Sequence, residues 1–231
     1  MISVWSRLWD LLSPRQCAVC NARLSAGEHT LCAKCSLHLP RTLYQDTPED
    51  NEMARMFWGR LPIKKCAALF FFNAGSESSN IVYKFKYHHH PEIALNMGEM
   101  MGLEFQKTTF FEDIDLIIAV PLAKNRQRQR GYNQSELIAA GIHNITCLPI
   151  AKGIVRRKDF KESQTQKDRW QRNENVENAF ELVNSEPIKG KHVLLIDDVA
   201  TTGATLCACG KELLKAEGLK LSLLTLSFAK S

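Results

Sequence analysis

No apolar run in this 231-residue chain reaches the roughly 18 residues that a membrane-spanning helix needs. Nor does its N-terminus pair a basic start with an uninterrupted apolar core, so a secretory signal peptide is not expected. The stretch MISVWSRLWDLLSP has an apolar stripe (Val4, Trp5, Leu8, Trp9, Leu12) broken by Arg7 and Asp10. It reads as a short amphipathic helix packed on its own protein. A membrane-surface helix would want more Lys and Arg on its polar face. Internal repeats and low-complexity tracts are also missing, which argues against a solenoid or a disordered tail. The expected compartment is the cytoplasm. A G-x-x-x-x-G-K-[ST] loop is absent too. Lys191 and Lys211 each follow a glycine, but neither has a second glycine five residues before that one, so a Walker-type nucleotide site is excluded.

What is present is ordinary for a globular protein: 45% hydrophobic residues and 24% charged. The length suits one medium domain or a domain with a small appendage. A net charge of +5 is compatible with anionic substrates or nucleic acid and proves neither.

Eight cysteines are distributed unevenly. Cys17, Cys20, Cys32 and Cys35 form C-x2-C-x11-C-x2-C. Two close pairs on two turns can bring four thiolates into a tetrahedron around Zn²⁺. Two disulfides and redox-active pairs are the alternatives. The expected cytosolic setting argues against the first, and the loop-like context Asn21–Thr30 against the second. Four protein ligands would leave no open coordination position, so the zinc would be structural. Cys66, Cys147, Cys207 and Cys209 are scattered and read as packing residues. Leu39–Arg60 is polar and turn-prone, which suggests two parts: residues 1–60 with the cysteine module and a connection, and residues 61–231 as the main domain.

Strands are expected at Cys66–Phe72, Ile114–Pro121, Ile154–Arg157, Ala179–Val183 and Leu221–Phe228. Helices are expected at Glu92–Phe105, behind Pro91, and from about Ser135. Ile81–Tyr87 suits a helix or an extended segment equally. His88, His89 and His90 point in different directions on either element, so they read as an exposed turn rather than a metal site. Strands alternating with helical patterns define an α/β domain with a mainly parallel sheet.

Two stretches are basic. Lys124, Arg126, Arg128 and Arg130 follow the Ile114–Pro121 strand with no acid among them. Ligands bind outside the carboxyl ends of such strands, and an arginine cluster there suits pyrophosphate. A solvated loop or a nucleic-acid patch is the alternative. From Arg156 to Arg172 there are seven Lys/Arg against three acids, in a polar stretch that could act as a lid over an anionic substrate or as a plain surface excursion. Single-strand binders stack bases on aromatics beside the basic groove. The two basic runs carry only Tyr132, Phe160 and Trp170.

The chain is organised around Lys191–Thr205. Val193–Ile196 reads as a buried strand, with Asp197 and Asp198 where that strand should end. Ala200-Thr201-Thr202-Gly203-Ala204-Thr205 follows, and then a helical pattern from about Leu206 to Ala216. A small loop at a helix start offers backbone N–H donors and a favourable dipole to a phosphate. Adjacent carboxylates suit a pair of vicinal ribose hydroxyls.

The string Val193–Thr205 resembles the signature of the type I phosphoribosyltransferases that binds 5-phosphoribosyl-1-pyrophosphate (PRPP). The resemblance implies that Asp197 and Asp198 hold the ribose hydroxyls. It also implies that Ala200, Thr201, Thr202, Gly203, Ala204 and Thr205 wrap the 5′-phosphate, with Mg²⁺ arriving alongside PRPP. Further pieces narrow it to the ComF/GntX-like branch: the four-Cys module, Lys84–Tyr87, Val120–Gln134, Gln164-Thr165, Arg172, Asn175-Val176, and Ala179-Phe180. In that branch Pro-Val-Pro-Leu-His often precedes the basic run. Here Ala119 and Ala123 stand in place of the first Pro and the His, and Ala200 replaces a bulkier loop residue. The resemblance implies a type I phosphoribosyltransferase-like sheet flanked by helices plus a zinc-ribbon-like module. It implies pyrophosphate-releasing phosphoribosyl transfer, with Arg126, Arg128 and Arg130 as pyrophosphate candidates and Lys84 or Lys86 as outsiders. It further implies a link to natural competence and single-stranded DNA, with a helicase and a recombination mediator as partners. A non-catalytic DNA-handling adaptor and a PRPP-sensing regulator are the alternatives.

Overall fold

The computed structural model of the protein describes residues 15–158 and 178–230. The N-terminal apolar stripe and nearly all of the Lys158–Asn178 stretch, including Gln164-Thr165, lie outside the described residues.

Four parallel strands form the central sheet: β1 (Cys66–Phe71), β2 (Leu116–Ala119), β5 (His192–Ala200) and β6 (Lys220–Phe228), in the order β1-β6-β5-β2. β6 thus lies inside the sheet, between β1 and β5. β5 pairs on both sides, with β2 through Leu116↔Val193 and with β6 through His192↔Lys220. A strand covered on both edges and both faces has no solvated position, hence the continuous apolar run Val193–Ile196, each residue 0% exposed. Burying each such side chain stabilises the fold by roughly 1.5–3 kcal/mol.

β5 is longer than its apolar run. It continues through Asp197 and Asp198 to Ala200, where it still pairs with Phe228. The expectation that the strand stops before the acids is therefore corrected. Val199 and Ala200 keep the extended backbone, because β6 runs just as far and supplies a ladder partner.

Helices cover the sheet. α3 (Ser79–Tyr87) resolves the ambiguous Ile81–Tyr87 as helix, burying Ile81, Val82 and Phe85. α4 (Pro91–Phe105) and α6 (Gln134–Thr146) cross with their backbones in contact. A Cβ on Gly98 would stand 2.2 Å from the Ile138 carbonyl oxygen, and one on Gly141 would stand 2.1 Å from that of Leu95. α7 (Ala204–Leu213) links β5 to β6. β3 (Val155–Arg157) and β4 (Phe180–Leu182) are paired antiparallel in a separate two-stranded ribbon rather than joining the sheet.

Two short helices precede the sheet, α1 (Ala33–Leu37) and α2 (Glu52–Arg55). The polar stretch before β1 is pinned to it: Thr42 N–H donates to Leu69 O at 3.1 Å, and Phe71 N–H to Pro40 O at 2.8 Å. Its apolar residues Met53, Ala54 and Phe57 are buried, and the buried Asn51 caps α2 by accepting from Ala54 N–H at 2.9 Å. Cys66, Cys207 and Cys209 are packing residues as expected, whereas Cys147 is exposed. It occupies the left-handed position after α6, at φ +59°. Among the described residues no helix is long and apolar enough to cross a membrane.

Candidate functional site

The basic run is a helix, α5 (Lys124–Arg130), not a loop. It ends at Gly131, whose φ of +81° closes the last turn. Residues four apart on a helix share a face, and residues two apart do not. Arg126 and Arg130 therefore turn to the same side and line a cleft, while Arg128 is not among the lining residues.

That cleft has a volume of about 370 Å³ and opens at the carboxyl ends of β2 and β5. Asp197, Asp198, Thr201 and Thr205 line it together with Tyr83, Lys86 and Tyr87 from α3 and with Arg126, Arg130 and Arg157.

The two acids are held differently. Asp197 Oδ1 accepts from Ser135 Oγ at 3.0 Å and from Asp198 N–H at 2.9 Å. Burial, together with the adjacent Asp198 carboxylate, pushes Asp197 up to about 7, against smaller opposing effects from those hydrogen bonds and Lys86. Asp198 faces Lys86 instead, with Nζ 2.9 Å from both Oδ1 and Oδ2. Lys84, two residues away, points elsewhere. Its Nζ donates to Cys17 O at 3.1 Å and Asn21 Oδ1 at 2.6 Å.

The loop after β5 is only Thr201–Gly203, because α7 starts at Ala204 rather than at about Leu206 and takes in Thr205; this loop rests on the stretch before β1. Gly203 is buried at φ +70° and serves as the N-cap of α7. A Cβ there would meet Phe57 Cε1 at 2.8 Å. Arg60 donates to Thr202 O at 2.9 Å, fixing the loop from outside. Thr201 and Thr205 line the cleft, while Ala200 is buried beneath it and Thr202 is exposed beside it.

Sequence reasoning assigned no site role to Ser135, Arg157 or Tyr83, nor to Tyr87 and Gln134, which enter there only as the ends of the Lys84–Tyr87 and Val120–Gln134 segments. Arg157 ends β3 and its guanidinium lies 5.3 Å from the Phe180 ring centroid. Burial, and to a lesser extent the nearby Arg126 charge, pull it below its ordinary value, with Asp197 opposing. Gln134 lines the cleft with a buried Nε2 that has no partner. Phe72, Tyr83 and Tyr87 form a ladder with successive ring centroids 6.3 Å apart, and Arg130 stacks 5.5 Å over Tyr87. The signal for the two tyrosines was their i,i+4 spacing, which carries meaning only once the segment is known to be helical.

On the far side of α3, the sulfur atoms of Cys17, Cys20, Cys32 and Cys35 lie within 4.8 Å of one another. Among the described residues this is the group able to hold a metal ion. Burial opposes ionisation of Cys17, but N–H groups of Cys20, Cys32 and Val19 outweigh it and hold the thiol down to about 7. An all-sulfur, four-ligand set fits a structural zinc. His88, His89 and His90 are exposed, and His90 pairs with Glu92 at 2.7 Å.

A parallel sheet carrying adjacent acids, a small hydroxyl-rich loop and a helix start at one edge is the architecture of a phosphoribosyltransferase domain. Residues 87–230 match the phosphoribosyl transferase domain family, and the chain belongs to it. Within that family it groups with the ComF/YhgH-like proteins. It is 30% identical over 217 residues to the DNA utilization protein YhgH of Escherichia coli O6:H1, covering 86% of this chain and 84% of that protein. It is 31% identical over 141 residues to competence protein F of Haemophilus influenzae, covering 59% of this chain and 62% of that one. Among solved structures, the PRPP amidotransferase of B. subtilis aligns over 61% of this chain and 30% of its own, at 19% identity and a TM-score of 0.41.

Proposed function

We propose that the cleft binds PRPP together with Mg²⁺. The observation that carries this reading is that Asp197 and Asp198 of β5, Thr201 of the loop after it and Thr205 of the first turn of α7 line one cleft with Arg126, Arg130 and Arg157. Asp197 and Asp198 accept from the two ribose hydroxyls. Backbone N–H groups and hydroxyls of Ala200–Thr205 take the 5′-phosphate at the start of α7. Arg126, Arg130 and Arg157 face the pyrophosphate, and Arg128 has no part in it. Among the described residues no cluster of carboxylates forms a metal cage. Magnesium, which keeps phosphate and water ligands, would neutralise the pyrophosphate on arrival.

Chemistry at this site is displacement of pyrophosphate at the anomeric carbon by an acceptor. Positive charge builds on the ribose ring as that bond breaks. The protein's share is to fix geometry and stabilise the departing pyrophosphate with cations already in place. The cysteine cluster holds a structural zinc. From the relatives' names, DNA utilization protein and competence protein, we extend to this chain a role in DNA use or competence; a cytoplasmic setting, with single-stranded DNA, a helicase and a recombination mediator as partners, is part of this proposal and not of those names.

A second reading has its own observation. The Phe72–Tyr83–Tyr87 ladder under Arg130 supplies stacking surface beside a basic rim, where the sequence offered little. That combination suits single-stranded DNA on a non-catalytic adaptor.

Calorimetric titration of PRPP with Mg²⁺, coupled to pyrophosphate release, separates the readings. Saturable binding that weakens in Asp198→Asn supports the PRPP site, and release adds catalysis. Binding without release leaves a PRPP-sensing regulator or an enzyme lacking its acceptor. Absence of binding at millimolar PRPP, with steeply salt-dependent DNA binding, favours the adaptor.

A further inference from the structure

α3 touches both the cysteine module and the acid pair, through different faces. Asn80 and Lys84 are four residues apart and share one face. Asn80 Nδ2 donates to Val19 O at 3.0 Å, and Lys84 Nζ donates to Cys17 O at 3.1 Å and Asn21 Oδ1 at 2.6 Å. All three acceptors sit on the Cys17–Asn21 knuckle. Lys86 leaves the opposite face and reaches both oxygens of Asp198 at 2.9 Å. Between the two faces, Ile81 and Phe85 are fully buried, so the helix cannot roll without opening the core. Its last turn is held from a third direction, where Tyr132 Oη donates to the Phe85 carbonyl.

We infer that Asn80 and Lys84 are positioning residues, through which the seated cysteine module sets where Lys86 stands in the cleft and so tunes its grip on PRPP. The inference rests on the PRPP reading for its ligand, but its geometry belongs to the protein alone. Lys86 has a long, flexible stem, and a helix of nine residues has little rigidity of its own. Three hydrogen bonds from Asn80 and Lys84 to a folded knuckle add to the hold of the core and of Tyr132. They leave the ammonium beside Asp198 and within the cleft that the arginines line, where a pyrophosphate would need it.

The test is a double-mutant cycle on the full chain, read by calorimetric PRPP titration with Mg²⁺. Lys84→Met is expected to weaken PRPP binding about threefold to tenfold in the wild-type background and not at all beside Lys86→Met. Lys84→Arg keeps a donor and is expected to restore affinity, and Asn80→Ala should reproduce the loss. Equal losses with and without Lys86, or no loss in the wild-type background, overturn the inference. Should the wild-type protein not bind PRPP, the function reading fails on its own, and a ligand-free readout decides the inference. Lys86 opposes the upward push on Asp197, which Asp198, Ser135, Arg157 and Cys209 also face. The Asp197 carboxyl carbon, followed by NMR, should therefore titrate at higher pH in Lys84→Met. An unchanged midpoint, or the same shift beside Lys86→Met, overturns it.

Discussion

Gly203→Ala isolates the loop that joins the acids to α7. The residue sits at φ +70°, where an L side chain costs roughly 1–2 kcal/mol. The added Cβ would also stand 2.8 Å from Phe57 Cε1 and 3.0 Å from Met56 Cε. Met56 can swing aside, but Phe57 is fully buried and its ring cannot. Overpacking of that kind costs about 1–3 kcal/mol, so the whole loss centres on about 3.5 kcal/mol. For a chain of this size each kcal/mol lowers the melting temperature by about 2–4 °C, which predicts a fall of about 7–14 °C. Thermal unfolding followed by circular dichroism measures it. Because part of the cost is the ring, a cycle with Phe57→Leu separates the two causes. In that background Gly203→Ala should retain only the backbone cost of roughly 1–2 kcal/mol. A melting temperature within about 2 °C of wild type, or an equal loss in both backgrounds, would refute the reasoning.

Three further outcomes are expected. Arg126→Ala should weaken PRPP binding by about tenfold, the loss of one charge-assisted contact, while Arg128→Ala should leave it unchanged; calorimetry on both distinguishes the two faces of α5. Cys32→Ser should bring bound zinc below one per chain by elemental analysis and lower the melting temperature, because metal binding there is coupled to folding. The third concerns pH. Asp197, held at about 7 in the fold against an ordinary 3.8, binds its proton more tightly when folded. Its contribution to stability is therefore full below the unfolded value and is lost as pH rises through about 7. Asp197→Asn should accordingly gain melting temperature over wild type at about pH 8 and show little gain below about pH 4. A gap that widens toward acid would contradict the sign.

The α/β architecture was legible because β1, β2, β5 and α4 announce themselves by run length and period. The acid pair and its loop were legible as one string. Other features depend on partners distant in sequence. The end of β5 is set by β6, which runs alongside to Phe228, and nothing in Val199-Ala200 alone says whether the strand continues. Arg126, Arg128 and Arg130 look equivalent until the segment is known to be helical, and then one of the three falls on the wrong side. Ser135 and Arg157 lie 62 and 40 positions before Asp197 in the numbering, and only the fold brings them to it. Phe57 belonged to a stretch read as a connection, yet it forms the floor under Gly203. Its role follows from a steric fit that composition does not encode.

The pairing of β5 with β6 on both sides of Asp198 has a consequence for how this protein could diversify. Asp197 pairs with Thr225, Val199 with Ser227 and Ala200 with Phe228, so the strand that carries both carboxylates is held in a ladder that cannot slip by one residue without inverting every side chain. On the proposed PRPP reading, the ribose end of the cleft is thus a fixed gauge, indifferent to what approaches from the other side. α5 and the β3–β4 ribbon lie outside that ladder. Descendants of this chain could exchange acceptors, or lose one, by altering those parts alone, and the sugar-phosphate gauge would persist in each of them.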